Sequence, residues 1–157
     1  MKIKLLAIGK TDNKHLVQLI DEYKNRLKHY TNFELEIIAD IKNAKNLSEL
    51  QQKEKEGELI VSKIQNVDNL VLLDDKGTHF TSKEFANYLQ KKMNRGIKQL
   101  VFVIGGPYGF SEAIYAKAQE KISFSKMTFS HQMIRLFIVE QVYRGFTILK
   151  NEPYHHE

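Results

Sequence analysis

The last residues of the chain carry side chains that can move a proton or stack on an aromatic base. Tyr154, His155 and His156 follow one of only two prolines in the sequence. Imidazole changes its charge near neutral pH, and a tyrosine ring can stack or hydrogen-bond. A tyrosine before the histidines and a glutamate after them do not match a polyhistidine purification tag. Because domain ends are usually small, polar and without function, this tail is predicted to contribute to an active site.

Two further segments carry residues suited to ligand binding. One reads Leu-Asp-Asp-Lys-Gly at residues 73–77 and the other reads Gly-Gly-Pro-Tyr-Gly at residues 105–109, and each ends a continuous apolar run. In an open parallel sheet, ligands bind outside the carboxyl ends of the strands. Glycines let a ligand approach the backbone, and a helix predicted after the second segment offers free N–H groups. A tight strand-to-helix turn accounts for the same glycines equally well.

Several common catalytic fingerprints are missing from the sequence. It contains no GxxxxGK[ST], GxGxxG, HExxH or GxSxG pattern, which disfavours a P-loop, a dinucleotide fold, a helical zinc site and a serine hydrolase. There is no cysteine for a disulfide, an iron–sulfur cluster or a thiolate zinc site. Asp74 and Asp75 could hold a magnesium ion, although a pair of turn carboxylates is more often a cap. No metal site is predicted.

The composition is typical of an ordinary globular protein, and one domain is predicted over residues 1–157. Residues 1–80 hold 13 Lys/Arg and 13 Asp/Glu, whereas residues 81–157 hold 11 and 6 and carry the whole net charge of +5. A basic excess favours a polyanionic partner such as nucleic acid. The N-terminal apolar run is too short for a signal peptide, and no segment approaches the roughly 20 apolar residues of a membrane span. A cytoplasmic protein without a membrane partner is therefore predicted.

Strand-like and helix-like segments alternate along the chain. Strands are predicted at residues 3–9, 33–39, 69–74 and 99–104, and helices at residues 12–30, 47–64, 81–93, 111–119 and 130–149. Asp12, Ser48 and Ser111 are candidate N-caps, Thr81 and Glu84 form a capping box, and an interruption or bend is expected near Gly57. This alternation predicts an α/β fold with a mainly parallel sheet flanked by helices.

The last predicted helix has more apolar residues than one core-facing stripe requires. They lie at positions 133, 134, 136–139, 142, 143, 146, 148 and 149. A helix that is apolar on most sides is buried on most sides. A homodimer through this helix is the favoured interpretation, and a central buried helix in a monomer is the alternative.

The motifs along the whole chain together resemble one known family. They are Leu73-Asp74 with Gly77, Ile-Gly-Gly-Pro-Tyr-Gly at 104–109, Phe-Ser-Lys-Met-Thr-Phe at 124–129, Ser-His-Gln-Met-Ile-Arg at 130–135, Glu-Gln-Val-Tyr-Arg at 140–144 and Asn-Glu-Pro-Tyr-His at 151–155. In this order and spacing the chain closely resembles the small SPOUT-class methyltransferases of the RlmH (YbeA) type.

The resemblance implies a fold, a reaction and a partner. The family has an α/β fold whose C-terminal part is threaded into a trefoil knot, and its members are homodimers. They use S-adenosylmethionine to methylate N3 of a pseudouridine in a 23S ribosomal RNA stem-loop on assembled ribosomes. The imide N3–H must lose a proton, and a base near neutral pKa suits that step.

The resemblance also implies roles for individual residues. Motif matching gives a cofactor site of Leu73, Gly105, Phe124, Ser125, Lys126, Met127, Thr128 and Phe129. His155 is the candidate base, and Tyr154 would stack on the target base or hydrogen-bond its carbonyl edge. Arg135 and Arg144 would contact phosphate or the cofactor carboxylate, or equally would pair within the dimer, since Glu140 lies four residues before Arg144.

Two positions depart from the usual family pattern. Tyr108 stands in the glycine segment where the family often has glutamate, so a cofactor role for that carboxylate is in doubt. His156, a tentative RNA contact, stands where arginine or lysine is common, so a permanent cation becomes a titratable one.

Functions of other kinds remain open from the sequence alone. A non-catalytic ribosome- or RNA-binding factor would share the basic second half but would need no cofactor pocket. An enzyme acting on a small metabolite would keep the pocket but would not depend on surface lysines. A SPOUT methyltransferase acting on transfer RNA is the nearest alternative within the same class.

Overall fold

The computed structural model describes residues 1–65 and 67–156. Within them, five parallel strands form one sheet in the order β2-β1-β4-β3-β5, and they are β1 (Lys2–Ile8), β2 (Asn32–Ile38), β3 (Asn69–His79), β4 (Gln99–Ile104) and β5 (Glu120–Ser123). The α-helices are α1 (Lys14–Leu27), α2 (Glu49–Lys63), α3 (Ser82–Asn94), α4 (Glu112–Lys117) and α5 (Met133–Leu149). This arrangement confirms the α/β fold class with a parallel sheet flanked by helices.

The sheet separates two apolar cores. Along β1, Leu5 and Ala7 face one core while Leu6 and Ile8 face the other, and all four are buried. The first core lies under α1, α3 and α5, and the second lies under α2 and α4. Burial on both faces explains why the central strands are apolar at every position, as is usual for parallel strands covered by helices.

The ends of several elements differ from the sequence predictions. Asp12 does not cap α1, because the neighbouring Asn13 side chain accepts the N–H groups of His15 and Leu16 at 2.8 and 3.3 Å. The interruption expected near Gly57 is not found, and α2 runs unbroken through this residue. The predicted capping box of Thr81 with Glu84 is found. Ser48 caps α2 as predicted and also forms a capping box with Gln51. Ser111 is the N-cap residue of α4, but its side chain makes no capping hydrogen bond.

Helix α5 packs between α1 and α3 on one face of the sheet. Its buried residues include Ile138, Val139 and Val142, while Met133 keeps 36% of its surface exposed. Several other apolar residues of α5 are only partly buried. The helix therefore has an apolar surface beyond what its own chain covers, and the homodimer stays a prediction, as does the trefoil knot.

None of the helices in residues 1–65 and 67–156 is both long and apolar enough to cross a membrane.

Candidate active site

A cleft of about 620 Å³ opens at the carboxyl ends of three neighbouring strands. Since β4, β3 and β5 lie side by side, the segments that follow them meet at one edge of the sheet. Leu73, Gly105 and Phe124 come from these three segments and line the cleft. Ser125, Met127, Thr128 and Phe129 line it as well, so seven of the eight residues predicted for the cofactor share one cleft. Lys126 is not among its lining residues.

The glycine segment that follows β4, residues 105–109, forms one wall of the cleft. Its turn is closed by the Gly109 N–H, which donates to the Gly106 carbonyl at 3.2 Å. Gly109 has φ +80°, a conformation that residues with a side chain rarely adopt. A Cβ on Gly105 would lie 3.1 Å from the Phe110 ring. The glycines are therefore required by the turn itself and also leave the backbone open to a ligand.

A carboxylate faces this cleft. The Tyr115 hydroxyl donates to Asp74 Oδ2 at 2.6 Å, and the Lys76 N–H donates to Asp74 Oδ1 at 2.9 Å. Partial burial acts to raise the pKa of Asp74, but these hydrogen bonds outweigh it and the pKa is lowered. Burial, then the contact with Asp74, raises the pKa of the Tyr115 hydroxyl. Asp74 thus caps its own turn and presents a negative charge to whatever binds in the cleft.

The segment after β5, residues 124–129, forms another wall of the cleft. The Ser123 hydroxyl donates to the Ser125 carbonyl at 2.8 Å, and the Met127 N–H donates to Ser125 Oγ at 2.9 Å. The Phe129 ring packs edge-on against Phe137 of α5 with centroids 4.9 Å apart. Met127 is 74% exposed. The hydroxyl groups therefore fix the backbone of this segment, while large apolar side chains remain at the mouth of the cleft.

Arg135 is the largest fully buried side chain of the described residues. Its guanidinium donates to the Ile8 carbonyl at 2.6 Å, to Thr11 Oγ1 at 2.9 Å and to the His131 carbonyl at 3.0 Å. Burial lowers the pKa of Arg135, and the opposing effect of the negative charges of Asp40 and Asp12 is smaller. With no exposed surface and its donors committed to its own chain, Arg135 does not fit the tentative RNA-contact role. It joins the start of α5 to the end of β1.

The tail folds back onto α5 and α1 instead of onto the cleft. The Tyr154 hydroxyl donates to Glu140 Oε1 at 3.0 Å and lies 3.0 Å from the Tyr23 hydroxyl. The Arg144 guanidinium lies over the Tyr154 ring, 4.6 Å from its centroid. Burial, Tyr23 and Glu140 raise the pKa of Tyr154. Tyr154 is therefore held as a neutral phenol in a defined position.

His155 and Arg144 lie in the same cluster. Arg144 pairs with Glu140 at 2.6 Å within one chain, which is the i,i+4 pair that their spacing allowed. Arg144 Nη1 lies 3.3 Å from His155 Nδ1. A guanidinium can only donate, so in a hydrogen bond between the two groups Nδ1 would be the acceptor. His156 is exposed, and the final Glu157 lies outside the described residues.

The tail and the cleft of one chain are separate. Ile134 lines the cleft, whereas Tyr154 and His155 contact α5 near Arg144. Ten residues of helix place these points about 15 Å apart. Seven of the eight residues predicted for the cofactor are therefore brought together in one place, and those predicted for the acceptor base lie together in another.

Sequence reasoning missed Tyr23 and Tyr115 as partners of these sites. Tyr23 meets Tyr154 across 131 residues and Tyr115 meets Asp74 across 41. Neither pair has a local signal, because each depends on how whole elements are arranged. No group of three or more His, Asp or Glu side chains in the described part of the chain is arranged to hold a metal ion.

A family model described as "Predicted SPOUT methyltransferase" matches residues 1–155. Among curated relatives, proteins named "Ribosomal RNA large subunit methyltransferase H" from Flavobacterium psychrophilum and Flavobacterium johnsoniae are 70% and 69% identical, in each case over 100% of both chains. The protein of that name from Parabacteroides distasonis is 68% identical, also over 100% of both chains.

A solved structure titled as that of a probable methylase family protein from Haemophilus influenzae resembles the fold. The match has a TM-score of 0.55 at 12% identity and covers 95% of this chain and 66% of that one. At this identity the likeness concerns the fold alone.

Proposed function

The chain belongs to the SPOUT methyltransferase family, and from this premise we propose that it methylates N3 of a pseudouridine in 23S ribosomal RNA, with S-adenosylmethionine as the donor. The observation that carries the proposal is the end-to-end similarity to relatives named as large-subunit ribosomal RNA methyltransferases, at 68–70% identity. The assembled ribosome in the cytoplasm is the proposed setting, and the basic second half of the chain suits a polyanionic substrate.

The cleft residues fit this donor in size and chemistry. A volume of about 620 Å³ lies within the usual range for small-molecule sites. Leu73, Phe124 and Phe129 offer apolar surface for an adenine ring, and the glycine segment offers backbone groups. The donor brings its own methyl electrophile on a sulfonium cation, and the ionised Asp74 carries charge of the opposite sign. The protein therefore has to bind the donor and orient its methyl group toward the acceptor, and such positioning contributes to catalysis.

The tail supplies groups suited to the acceptor. An imide N3–H must lose its proton as the methyl group arrives. We propose that the His155 imidazole accepts this proton. His155 Nδ1 lies 3.3 Å from Arg144 Nη1, so the imidazole has to turn away from Arg144 before this nitrogen can take the proton. Tyr154, a phenol held by Glu140 and Tyr23, is suited to hydrogen-bond or stack on the target base. The exposed His156 is proposed as a contact to RNA phosphate.

A homodimer would bring the two half-sites together. Within one chain the tail docks about 15 Å along α5 from the cleft, which is too far for direct methyl transfer. Large apolar side chains remain exposed near the cleft and on α1, namely Met127, Phe129, Met133, Val17 and Leu19. Burying them against a second copy would be favourable. We propose that each cleft works with the tail of the partner subunit.

Transfer of labelled methyl groups to defined RNA acceptors tests this function. Intact ribosomes from cells lacking the modification would be compared with naked 23S ribosomal RNA and bulk transfer RNA. We expect label in ribosomes and little in the other two. Label in transfer RNA alone would contradict the proposed substrate. Absence of label from every RNA, despite donor binding, would contradict the proposed reaction.

A further inference from the structure

A buried carboxyl group lies directly behind the glycine wall of the cleft. Glu56 of α2 is 3% exposed, and its carboxyl group contacts Gly106. A Cβ added to Gly106 would lie 2.6 Å from both Cδ and Oε1 of Glu56 and closer still to Oε2. Real atoms do not approach so closely, so Gly106 has to be glycine as long as Glu56 stays where it is.

The next residue of α2 supports the other end of the same segment. A Cβ on Gly57 would clash with Ser111 Oγ and would lie 3.3 Å from Ser111 Cβ. Helix α2 therefore touches residues 106 and 111, which enclose the turn that lines the cleft. A displacement of Glu56 or Gly57 would therefore change the contacts that α2 makes with this turn.

The hydrogen bonds of Glu56 are incomplete. Gln52 Nε2 donates to Oε1 at 2.8 Å, whereas Oε2 is buried without a hydrogen-bond partner in the part of the chain that the structure describes. Burial and the charge of Asp40, from the segment after β2, raise the pKa of Glu56. Gly106, which faces it from the glycine segment, carries no charge. A neutral carboxyl group is tolerated in this place, but an ionised one lacks a donor for its second oxygen.

We propose that Glu56 is a positioning residue for the glycine segment and that its neutral form holds the donor-binding shape of the cleft. When the carboxyl group loses its proton, burial of the charged side chain becomes unfavourable. The side chain then moves toward solvent, and Gly106 loses its contact. The inference rests on the proposed function only in assuming that S-adenosylmethionine binds in this cleft. It assigns to α2, which contributes no residue to the cleft lining, control over the affinity for the donor.

The sign of the pH dependence follows from the raised pKa. Donor affinity is highest at low pH, where Glu56 is neutral, and falls as the pH rises through the pKa of the bound state. A single proton weakens binding by at most about tenfold per pH unit. Other groups of the donor and of the protein also titrate, so the dependence has to be read against a variant that lacks the Glu56 proton.

Calorimetric binding of S-adenosylmethionine from pH 4.5, the ordinary pKa of a glutamate, upwards to pH 9 tests the proposal, with Glu56→Gln as the neutral isostere. We expect the wild type to lose affinity more steeply with pH than Glu56→Gln, with the two closest at the acid end. The exposed Glu58→Gln on the same helix is the matched control and should follow the wild type. Equal pH profiles for the wild type and Glu56→Gln would overturn the inference.

A second set of variants tests the contact itself. Gly106→Ala should weaken donor binding at least tenfold, because its Cβ displaces the Glu56 carboxyl group. Glu56→Ala should also weaken donor binding, because it removes the carboxyl group that supports Gly106, whereas the isosteric Glu56→Gln should bind the donor as the wild type does at acid pH. Donor binding by Glu56→Ala equal to that of the wild type at acid pH would contradict the proposed support. Failure of the wild type to bind the donor at any pH would instead contradict the proposed function, so the two failures are distinguishable.

Discussion

At the scale of single residues, the tail is held by contacts with its own chain. Tyr154 has hydrogen-bond contacts to Glu140 and Tyr23, and the Arg144 guanidinium covers its ring. A preorganised polar group loses little freedom when the transition state forms, so its interactions contribute fully to catalysis. The proposed base His155 lies beside the same arginine.

Replacing His155 by alanine tests its proposed role as the base. We expect kcat for methyl transfer to ribosomes to fall by about 10²- to 10⁴-fold, as is typical when a general base is removed. Donor affinity, measured by calorimetry, should stay unchanged because His155 does not line the cleft. The adjacent His156→Ala is the matched control and should lose far less. Equal losses for the two variants would argue against a specific role for His155.

Replacing His156 by arginine restores the permanent cation that is common in the family at this position. Because His156 is exposed, the change should leave the fold intact and keep or raise activity. Initial rates of methyl transfer to ribosomes measure this, and a large loss of activity in the variant would contradict the proposed phosphate contact.

At the scale of elements, β5 fixes one wall of the cleft through an unusually close contact with β3. A Cβ on Gly77 would lie 2.5–2.7 Å from three backbone atoms of Ile122. Backbone atoms cannot move aside as the end of a flexible side chain can. The segment at residues 124–129 follows β5 directly, so its position depends on this glycine.

Exchanging Gly77 for alanine should therefore damage the cleft as well as the fold. We expect the free energy of unfolding to fall by about 1–3 kcal/mol, the usual cost of overpacking, and donor affinity to fall at least tenfold. Gly96→Ala is the matched control, because Gly96 has φ +74° with no atom within 4 Å of an added Cβ. It should lose about 1–2 kcal/mol from backbone strain with unchanged donor affinity. Denaturant unfolding and calorimetry separate the two effects.

A buried arginine joins two other elements. Replacing Arg135 by methionine leaves the Ile8 and His131 carbonyls and the Thr11 hydroxyl without their donor. We expect the variant to lose about 2–4 kcal/mol of the free energy of unfolding. The exposed Arg95→Met should lose less than about 0.5 kcal/mol. Similar stabilities for the two variants in urea titrations would show that the buried contacts contribute little.

The sequence predicts most elements but not how they meet. Continuous apolar runs and capping patterns are local signals, so β1, β4 and the start of α3 are found where expected. Strand β5 was missed because its four residues, Glu-Lys-Ile-Ser, carry no strand pattern of their own and are ordered by pairing with β3. Lys92 of α3 also pairs with Glu120 at the start of β5.

The site, too, could be predicted from the sequence only where its residues belong to a local motif. Family motifs identified the cleft residues Leu73 and Gly105, whereas a fully buried Arg135 could not be foreseen because charged residues are seldom buried. Glu56 gave no signal either, since it lies in a charged helix and its burial depends on packing against the glycine segment.

At the scale of the whole molecule, one chain contains both proposed half-sites but keeps them apart. In the proposed homodimer, the tail of one subunit would lie at the cleft of the other. Sedimentation should give a mass of about twice the 18.3 kDa of one chain. Placing lysines at the exposed apolar positions 19 and 133, as Leu19→Lys with Met133→Lys, should produce monomers because two charges would be buried at the interface.

Such monomers should lose methyl transfer while retaining most of their donor affinity, since neither substituted residue lines the cleft. A control pair on the opposite side of the sheet, the exposed Leu50→Lys with Leu59→Lys on α2, should leave the dimer and its activity unchanged. Full activity in a monomeric form would contradict the shared site.

The most direct single measurement is to locate the transferred methyl group on the RNA. Ribosomes lacking the modification would be treated with the wild-type protein and isotopically labelled S-adenosylmethionine, and the 23S ribosomal RNA would be digested and sequenced by mass spectrometry. We expect one labelled nucleotide per ribosome, a pseudouridine carrying the methyl group on N3. A label on another atom, on another nucleotide or spread over many sites would contradict the assignment of this chain as a pseudouridine N3-methyltransferase.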